Sequence, residues 1–355
     1  MLPRARDYER VTRRIETALG GARDGGADDV IEAILDASAG VLAITGSCWH
    51  RTDPSSGLPI AHAMLGEPAG SLEESLIYEF RRPDLNRFAE LRSRRSPVSA
   101  LWTETRGEPR ASARFREMIE PAGAADELRA AFVDPFGLWA ALVIFTERRM
   151  TADDLEFVSR LMPAATAALR RDAAARALAE RPPVDAGDAE LGPSVLILDR
   201  DDRILAADAV ARRRLGAVPD PRPVEVPGLI SFVAAQARWG SDGRSQTARM
   251  LADEGQWFLV NASLLDDGDA GNVAVVVQPA PGASVADGAL RALGLSARER
   301  EVAALVLQGY STKAIASALM ISPWTAQDHL KAVYEKVGVS SRSELVSLVP
   351  AAVPA

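Results

Sequence analysis

The chain has 355 residues, a net charge of −8 and a single cysteine, Cys48. That length allows two or three domains, each with a core of its own. The acidic balance excludes general coating of nucleic acid, so any attraction to DNA has to be local. One cysteine excludes an internal disulfide framework. Because the sequence also lacks a run of about 18 apolar residues and an apolar signal core, we expect a cytoplasmic protein.

The first predicted element is an amphipathic helix within residues 1–26. Its apolar stripe, along residues 4–19, consists of Tyr8, Val11, Ile15 and Leu19. Charged residues cover the other sides of this helix. Such a stripe can pack on the chain's own domain or on a second copy of the chain as a dimerisation helix, and the sequence leaves both open.

Residues 27–175 are expected to form an α+β domain. A helix at 28–37 precedes a buried strand at 41–45, and two further strands at 127–133 and 138–145 are joined by a turn. A long final helix follows, with a capping pair at its start and a proline that should kink it, namely Thr151, Asp154 and Pro163. The order of these elements resembles a GAF domain, which implies a sensor.

A second, smaller α+β domain is predicted at residues 190–280, after an Ala-, Arg- and Pro-rich linker at 176–189. Four strands are predicted, at 195–199, 204–207, 257–263 and 272–277. This pattern, with the opening sequence VLILDRDDRILAAD, resembles a PAS domain. Residues 281–290 are predicted to be a second linker. Both resemblances imply an effector, either a small molecule or a partner protein.

Six aromatic residues of the first domain are candidates for lining a ligand pocket, although each can equally be an ordinary core residue. They are Trp49, Tyr78, Phe80, Trp102, Phe115 and Trp139. Cys48 is either a chromophore tether, an oxidation sensor or an inert buried thiol. His50 and His62 have no nearby cluster of ligands at metal spacing, so no metal site is predicted.

Signatures of catalysis are missing from the sequence. It contains no glycine-rich phosphate loop with the required lysine and no G-x-S-x-G motif. Paired carboxylates such as Asp28 with Asp29 fall at predicted helix starts, where capping explains them. We therefore expect neither an enzyme nor a cofactor.

Four short helices are predicted in residues 291–350. Their starts carry N-cap signals, namely Ser296 with Glu299, Ser311, Ser322 with Pro323, and Ser341 with Glu344. The tight link at 320–322 joins the second and third helices. This arrangement is typical of a helix-turn-helix, whose second helix fits the major groove of DNA. The alternative without a DNA-binding role is a small helical bundle with a solvated polar face.

The same region resembles the LuxR-type DNA-binding domain. The matching positions are Arg298, Glu299, Gly309, Lys313, Ile315, Ala316, Ser322, Thr325, His329, Lys336, Gly338, Val339, Arg342 and Leu345. Three positions depart from the family pattern: Ala326 and Val337 replace the usual valine and leucine, and Trp324 is unusually large. The resemblance implies an all-α four-helix domain that binds a double-stranded DNA operator.

The outward face of the third helix carries the predicted base contacts, Gln327, Asp328 and Lys331. A glutamine can bond adenine, an aspartate can accept from cytosine and a lysine can reach guanine. The predicted phosphate contacts are Ser311, Thr312, Thr325, Lys336 and Arg342. Because the domain is only mildly basic, we expect a homodimer to reach useful affinity.

Together these patterns predict a multidomain transcriptional regulator, in which GAF-like and PAS-like domains control a LuxR-type helix-turn-helix. Two alternatives stay open. One is a signalling scaffold whose sensor domains mediate protein–protein interaction, and the other is an autoinducer receptor of the quorum-sensing type.

Overall fold

A computed structural model describes residues 26–66, 69–70, 74–75, 77–82, 84–179, 192–214, 228–240, 245–251, 257–265 and 271–349, together with Glu9 and Arg13. The helix predicted at residues 4–19 and residues 180–189 of the first predicted linker therefore lie outside the described residues, apart from those two side chains. No helix among the described residues is long and apolar enough to cross a membrane.

The first domain is built on a five-stranded antiparallel sheet with the strand order β2-β1-β5-β4-β3. Its strands are β1 (Ile44–Thr52), β2 (Pro59–Gly66), β3 (Val98–Ala100), β4 (Asp126–Asp134) and β5 (Gly137–Thr146). The predicted strand pair corresponds to β4 and β5 and is confirmed.

Helices cover both faces of this sheet. They are α1 (Ala27–Leu42), α2 (Phe88–Leu91), α3 (Leu101–Glu104) and α4 (Ala152–Ala179), with shorter helical turns at Ile77–Arg81, Pro109–Ala111 and Phe115–Ile119. The long helices α1 and α4 pack on one face, and the short segments pack on the other. As predicted, the start of α4 is capped by Thr151 and Asp154, whose side chains each bond the other's backbone N–H.

The strand predicted at residues 41–45 is present, but its predicted start is wrong. Val41 and Leu42 are the last turn of α1, Ala43 ends the helix in the left-handed region with φ 51°, and the strand begins at Ile44. A short apolar run fits the buried face of either element, so its composition could not decide between them.

The second domain contains another five-stranded antiparallel sheet, in the order β7-β6-β10-β9-β8. Its elements are β6 (Ser194–Leu198), β7 (Ile204–Ala207), α5 (Ala209–Arg214), α6 (Gly228–Trp239), β8 (Gln246–Leu251), β9 (Trp257–Leu264) and β10 (Val273–Pro279). The four predicted strands are confirmed, whereas α6 and β8 were not predicted. Counted along each domain, the two sheets have the same strand order, so they share one topology.

The C-terminal domain is helical. Its helices are α7 (Gly282–Ala292), α8 (Ala297–Leu307), α9 (Thr312–Ala318), α10 (Pro323–Val337) and α11 (Arg342–Leu348). The second predicted linker, residues 281–290, is therefore largely helical. Its apolar side chains Val285, Ala289 and Leu290 are buried.

All three domains are in contact. Ala177 and Leu178 at the end of α4 pack against the core of the C-terminal domain, which means that α4 extends beyond its own domain. Leu58, in the turn between β1 and β2, lies in the core of the second domain. The first domain therefore packs against both the second domain and the C-terminal domain.

Candidate functional site

The turn between α9 and α10 is tight and locally specified. Met320 adopts a left-handed conformation with φ 52°, and the N–H of Ile321 donates to the carbonyl of Ala316 over 2.9 Å. The hydroxyl of Ser322 accepts from the N–H of Thr325 over 3.0 Å, which caps α10. These bonds fix how α10 leaves the turn and therefore which of its faces is exposed.

Helix α10 has a buried face and an exposed face. Ala326, Leu330 and Val333 are buried in the domain core. Gln327, Asp328 and Lys331, the three predicted base contacts, are all exposed. Lys331 lies 3.8 Å from Glu335, but with side chains 77% and 67% exposed this pair contributes little. The structure therefore brings the three residues together on one polar surface, which we call the reading face.

Two large apolar side chains flank the reading face. Met320 is 92% exposed and Trp324 is 79% exposed, at the turn and at the start of α10. Water contact on an indole of that size is unfavourable, so such exposure is typical of a surface that meets a partner. The departure of Trp324 from the family pattern was the signal in the sequence, but its outward placement was visible only in the structure.

The five predicted phosphate contacts separate into two groups. Ser311 and Thr325 lie at helix starts, where the hydroxyl of Ser311 accepts from Ala314 N and that of Thr325 lies 2.9 Å from the hydroxyl of Ser322. Thr312 is the first residue of α9. These three positions sit beside backbone N–H groups that phosphates can approach.

Lys336 and Arg342 have internal partners instead. The ammonium of Lys336 lies 2.7 and 2.8 Å from the carboxylate oxygens of Glu299, and the guanidinium of Arg342 donates to the carbonyls of Val306 and Tyr310. Burial raises the pKa of Glu299, but hydrogen bonds from Lys336 and Ser296 outweigh it, so the pKa is lowered. Both cations therefore brace α8 against the helices that follow it.

A cavity of about 110 Å³ is the second candidate site. It lies between helix α6 of the second domain and the face of the first sheet that carries Cys48 and His50. Side chains from both domains line it, among them Cys48, His50, Phe80, Glu127, Arg129 and Phe232.

Of the six aromatic residues predicted for a pocket, Phe80 lines this cavity. Trp49 and Trp139 are buried on the opposite face of the sheet, because successive strand residues point to opposite sides. The other three lie elsewhere: Tyr78 and Phe115 belong to a neighbouring apolar cluster, and Trp102 packs under the guanidinium of Arg149. Cys48, one of whose predicted roles is a chromophore tether, also lines the cavity. The other lining residues were not predicted, since their convergence depends on the tertiary fold.

The polar side of the cavity is a buried network of ion pairs. Arg129 donates to Glu79 over 2.8 Å and to Glu127 over 3.3 Å, and Glu127 also accepts from Arg114 over 2.7 Å. Burial raises the pKa of Glu127, but the two arginines outweigh it and leave the pKa lowered. The network pairs two arginines with two glutamates, so its positive and negative groups are equal in number.

Cys48 and His50 are both uncharged at neutral pH. Burial raises the pKa of the Cys48 thiol to about 11. Burial, with smaller contributions from His62 and Arg129, lowers the pKa of His50 to about 3. Since the thiolate is the reactive form of cysteine, Cys48 fits the inert thiol better than a tether or sensor. In the part of the chain that the structure describes, no group of His, Cys, Asp and Glu could hold a metal ion.

Two short helices, a fixed turn between them and an exposed polar face on the second define a helix-turn-helix domain. Residues 293–349 match the model of the family "Bacterial regulatory proteins, luxR family". The spore germination protein GerE of Bacillus subtilis is 46% identical over 52 residues, which cover 15% of this chain and 70% of GerE. The chain belongs, through its C-terminal domain, to the LuxR family of bacterial regulatory proteins.

Two other relatives match stretches of similar length. A putative HTH-type transcriptional regulator of Aeromonas salmonicida is 50% identical over 54 residues, 15% of this chain and 28% of that protein. A second one, from Mycobacterium bovis, is 50% identical over 52 residues, 15% of this chain and 6% of that protein. The chain thus spans under a third of either relative.

Solved structures are similar to longer stretches of the chain, but distantly. A Vibrio cholerae VqmA–ligand–DNA complex has 18% identity and a TM-score of 0.23, covering 46% of this chain and 84% of that one. Escherichia coli SdiA has 12% identity and a TM-score of 0.31, covering 96% of each chain. Neither score is high enough to equate the folds.

Proposed function

We propose that this protein is a DNA-binding transcriptional regulator that reads its operator through the reading face of α10. The observation that carries the proposal is the exposure of Gln327, Asp328 and Lys331 side by side on the second helix of a LuxR-family helix-turn-helix. Each has a complementary base edge in the major groove. Trp324, beside them, adds apolar surface suited to a thymine methyl group.

Phosphate contacts come from the helix starts in this proposal. Ser311, Thr312 and Thr325 offer hydroxyls at the starts of α9 and α10. Lys336 and Arg342 are secondary candidates for this role, because their partners Glu299 and the carbonyls of Val306 and Tyr310 already engage part of their donors. Few cationic contacts mean modest affinity for one domain, which supports binding as a homodimer on two half-sites.

The GAF-like and PAS-like domains act as sensors in this proposal, and a chain of ion pairs supports their control of the DNA-binding domain. Arg249 of β8 binds Asp53 of the first domain through Nε and Nη2, at 2.8 and 2.9 Å. Its Nη1 donates to the carbonyl of Ser284 in α7 over 2.6 Å and lies 3.8 Å from Asp287. Asp287 in turn accepts from Arg300 of α8 over 3.1 Å.

This connection joins the two sheets to the first helix of the DNA-binding domain. Gly288 permits it, since a side chain there would place its first carbon 2.9 Å from Nη1 of Arg249. In this proposal a shift of one sheet against the other displaces α7, and α8 moves with α7 because Arg300 is bonded to Asp287. Such a mechanical link lets a ligand that prefers one arrangement bias DNA binding.

Titration of the full-length protein with fluorescent operator and non-operator DNA, at several salt concentrations, tests the DNA-binding part. We expect the logarithm of the affinity to fall linearly with the logarithm of the salt concentration, since bound phosphates release counterions. Binding that ignores salt, or no binding to DNA, would favour the signalling scaffold instead.

A further inference from the structure

We propose that the cavity between the first sheet and α6 binds an uncharged small molecule with a mostly apolar body and one hydrogen-bonding group. The ligand class is our inference from the charges and contacts of the lining residues, and it rests on the sensor role in the proposed function.

The cavity lies at the interface between the first and second domains. Cys48, His50 and Val143 contribute from the first sheet, and Phe232 and Gln236 contribute from α6 of the second domain. The ring of Phe232 stands edge-on to the imidazole of His50, with 5.3 Å between centroids. A molecule in this cavity therefore contacts both domains, next to the ion pair of Asp53 with Arg249.

The charged groups of the cavity do not favour a charged ligand. Both carboxylate oxygens of Glu79 are occupied, by the N–H of Phe88 at 2.8 Å and by Arg129 at 2.8 Å. Both oxygens of Glu127 are occupied as well, by Arg129 and Arg114. A cation would have to break one of these pairs or enter the cavity without a counter-charge, and either event is costly. Arg92 also lines the cavity, but it is exposed and donates to the carbonyl of Ser56 over 3.4 Å, so an anion paired with it stays at the solvent side of the cavity.

The hydrogen-bonding point is the imidazole of His50. Its Nε2 lies 3.5 Å from the sulfur of Cys48, whereas its Nδ1 has no hydrogen-bond partner among the described residues. The neighbouring hydroxyl of Thr52 is already bonded to the carbonyl of Leu138. A buried nitrogen without a hydrogen bond is unfavourable, so a ligand gains binding free energy if one of its polar groups bonds this nitrogen. The rest of the wall is mainly apolar, including Leu58, Met118, Val143 and Phe145.

Three six-carbon probes that differ in charge test the ligand class on the wild-type full-length chain. They are hexanamide, hexanoate and hexylammonium, and their binding is measured by isothermal titration calorimetry. For molecules of this size we expect hexanamide to bind with a dissociation constant on the order of 1 mM. The two charged probes should bind at least about tenfold more weakly, because the buried ion pairs offer neither charge a free partner and an ion pair between hexanoate and Arg92 would form at the exposed side of the cavity.

Variants then locate the site. His50→Phe should weaken hexanamide binding about tenfold, the value of one lost hydrogen bond, whereas His62→Asn, which changes an exposed histidine outside the lining, should leave it unchanged. If His50→Phe fails to fold, the ¹⁵N signals of the His50 ring in wild-type protein serve instead, and they should shift with hexanamide.

Three results would overturn the proposal: a charged probe that binds as tightly as hexanamide, no binding by any probe, or hexanamide binding that leaves His50 unaffected. DNA binding is measured separately and without probes. Failure to bind DNA would therefore reject the proposed function without affecting the ligand measurements. Failure to bind hexanamide would reject the ligand proposal without affecting the DNA-binding measurements.

Discussion

At the scale of single residues, the buried imidazole of His50 makes the stability of the fold depend on pH. Its pKa is about 3 in the folded chain, because burial, His62 and Arg129 disfavour the imidazolium. In the unfolded chain the ring has its ordinary value near 6.5. Below that pH the unfolded state takes up a proton that the folded state rejects, so stability is lost as pH falls from 6.5 towards 3.

We therefore predict that the free energy of unfolding drops by about 2 kcal/mol between pH 7 and pH 5 on account of His50. Urea unfolding at both pH values measures the drop. His50→Phe should remove most of it, whereas His62→Asn should retain most of it, because burial is the largest cause of the lowered pKa of His50. An equal pH dependence in wild type and His50→Phe would mean that the ring is protonated in the folded protein.

Trp324 is the second residue whose placement leads to a prediction. Its indole is 79% exposed beside the reading face, so Trp324→Ala should leave thermal stability unchanged. Operator affinity should fall by about 1 kcal/mol through lost apolar contact with the DNA. Fluorescence anisotropy with labelled operator measures this loss, and Trp324→Phe should restore part of it. Full affinity in Trp324→Ala would place the indole away from the DNA.

At the scale of elements, Lys336 and Glu299 hold α10 against α8. We predict that Lys336→Met lowers the free energy of unfolding by roughly 0.5–1 kcal/mol, as for partly exposed pairs. The salt dependence of DNA binding should stay the same, because this lysine is an internal brace. Unchanged stability together with a salt slope reduced by about one unit would instead identify a phosphate contact.

The C-terminal helices could be predicted from sequence because their signals are local. Ser296 with Glu299 and Ser341 each form the caps that the spacing indicates, and Pro323 begins α10. Such bonds span three or four residues, so they need no knowledge of the rest of the fold.

Elements that depend on tertiary packing were harder to predict from the sequence. Helix α7 follows Pro281 and contains Gly288, two residues that suggested a linker, and it is held by burial against α4 and α8. The strand predicted at 41–45 was placed too early, since an apolar run indicates burial and does not distinguish the end of a helix from a strand. Local signals were absent for α6 as well, although it closes the cavity.

The cavity could not be predicted because it depends on which residues face each other. The sequence singles out aromatic side chains, but sheet register decides their direction, and it sends Trp49 and Trp139 to the far side. The residues that do converge, such as Arg129 and Phe232, come from different domains. GAF-like and PAS-like identities likewise remain predictions, since shape is their main signature.

At the scale of the whole molecule, Arg249 joins the domains. Burial raises the pKa of Asp53, but hydrogen bonds and charge from Arg249 outweigh it and lower the value to about 2. We predict that Arg249→Met destabilises the full chain by about 3–5 kcal/mol, because it leaves this carboxylate buried without a partner.

Chemical denaturation of the single and double variants measures that cost. Asp53→Asn combined with Arg249→Met should recover part of the lost stability, since the stranded charge is then gone. If Arg249→Met is nearly neutral, the ion pair does not hold the domains together, and the route from the cavity to α8 is lost with it.

The central claim is that the reading face of α10 selects bases. The most direct measurement is the ratio of operator to non-operator affinity for wild type, Gln327→Ala and Lys331→Ala, with Ser347→Ala on α11 as an exposed control. Each reading-face variant should reduce that ratio by roughly 1–3 kcal/mol while folding stays intact. An unchanged ratio in both variants, with the control behaving as wild type, would contradict the account.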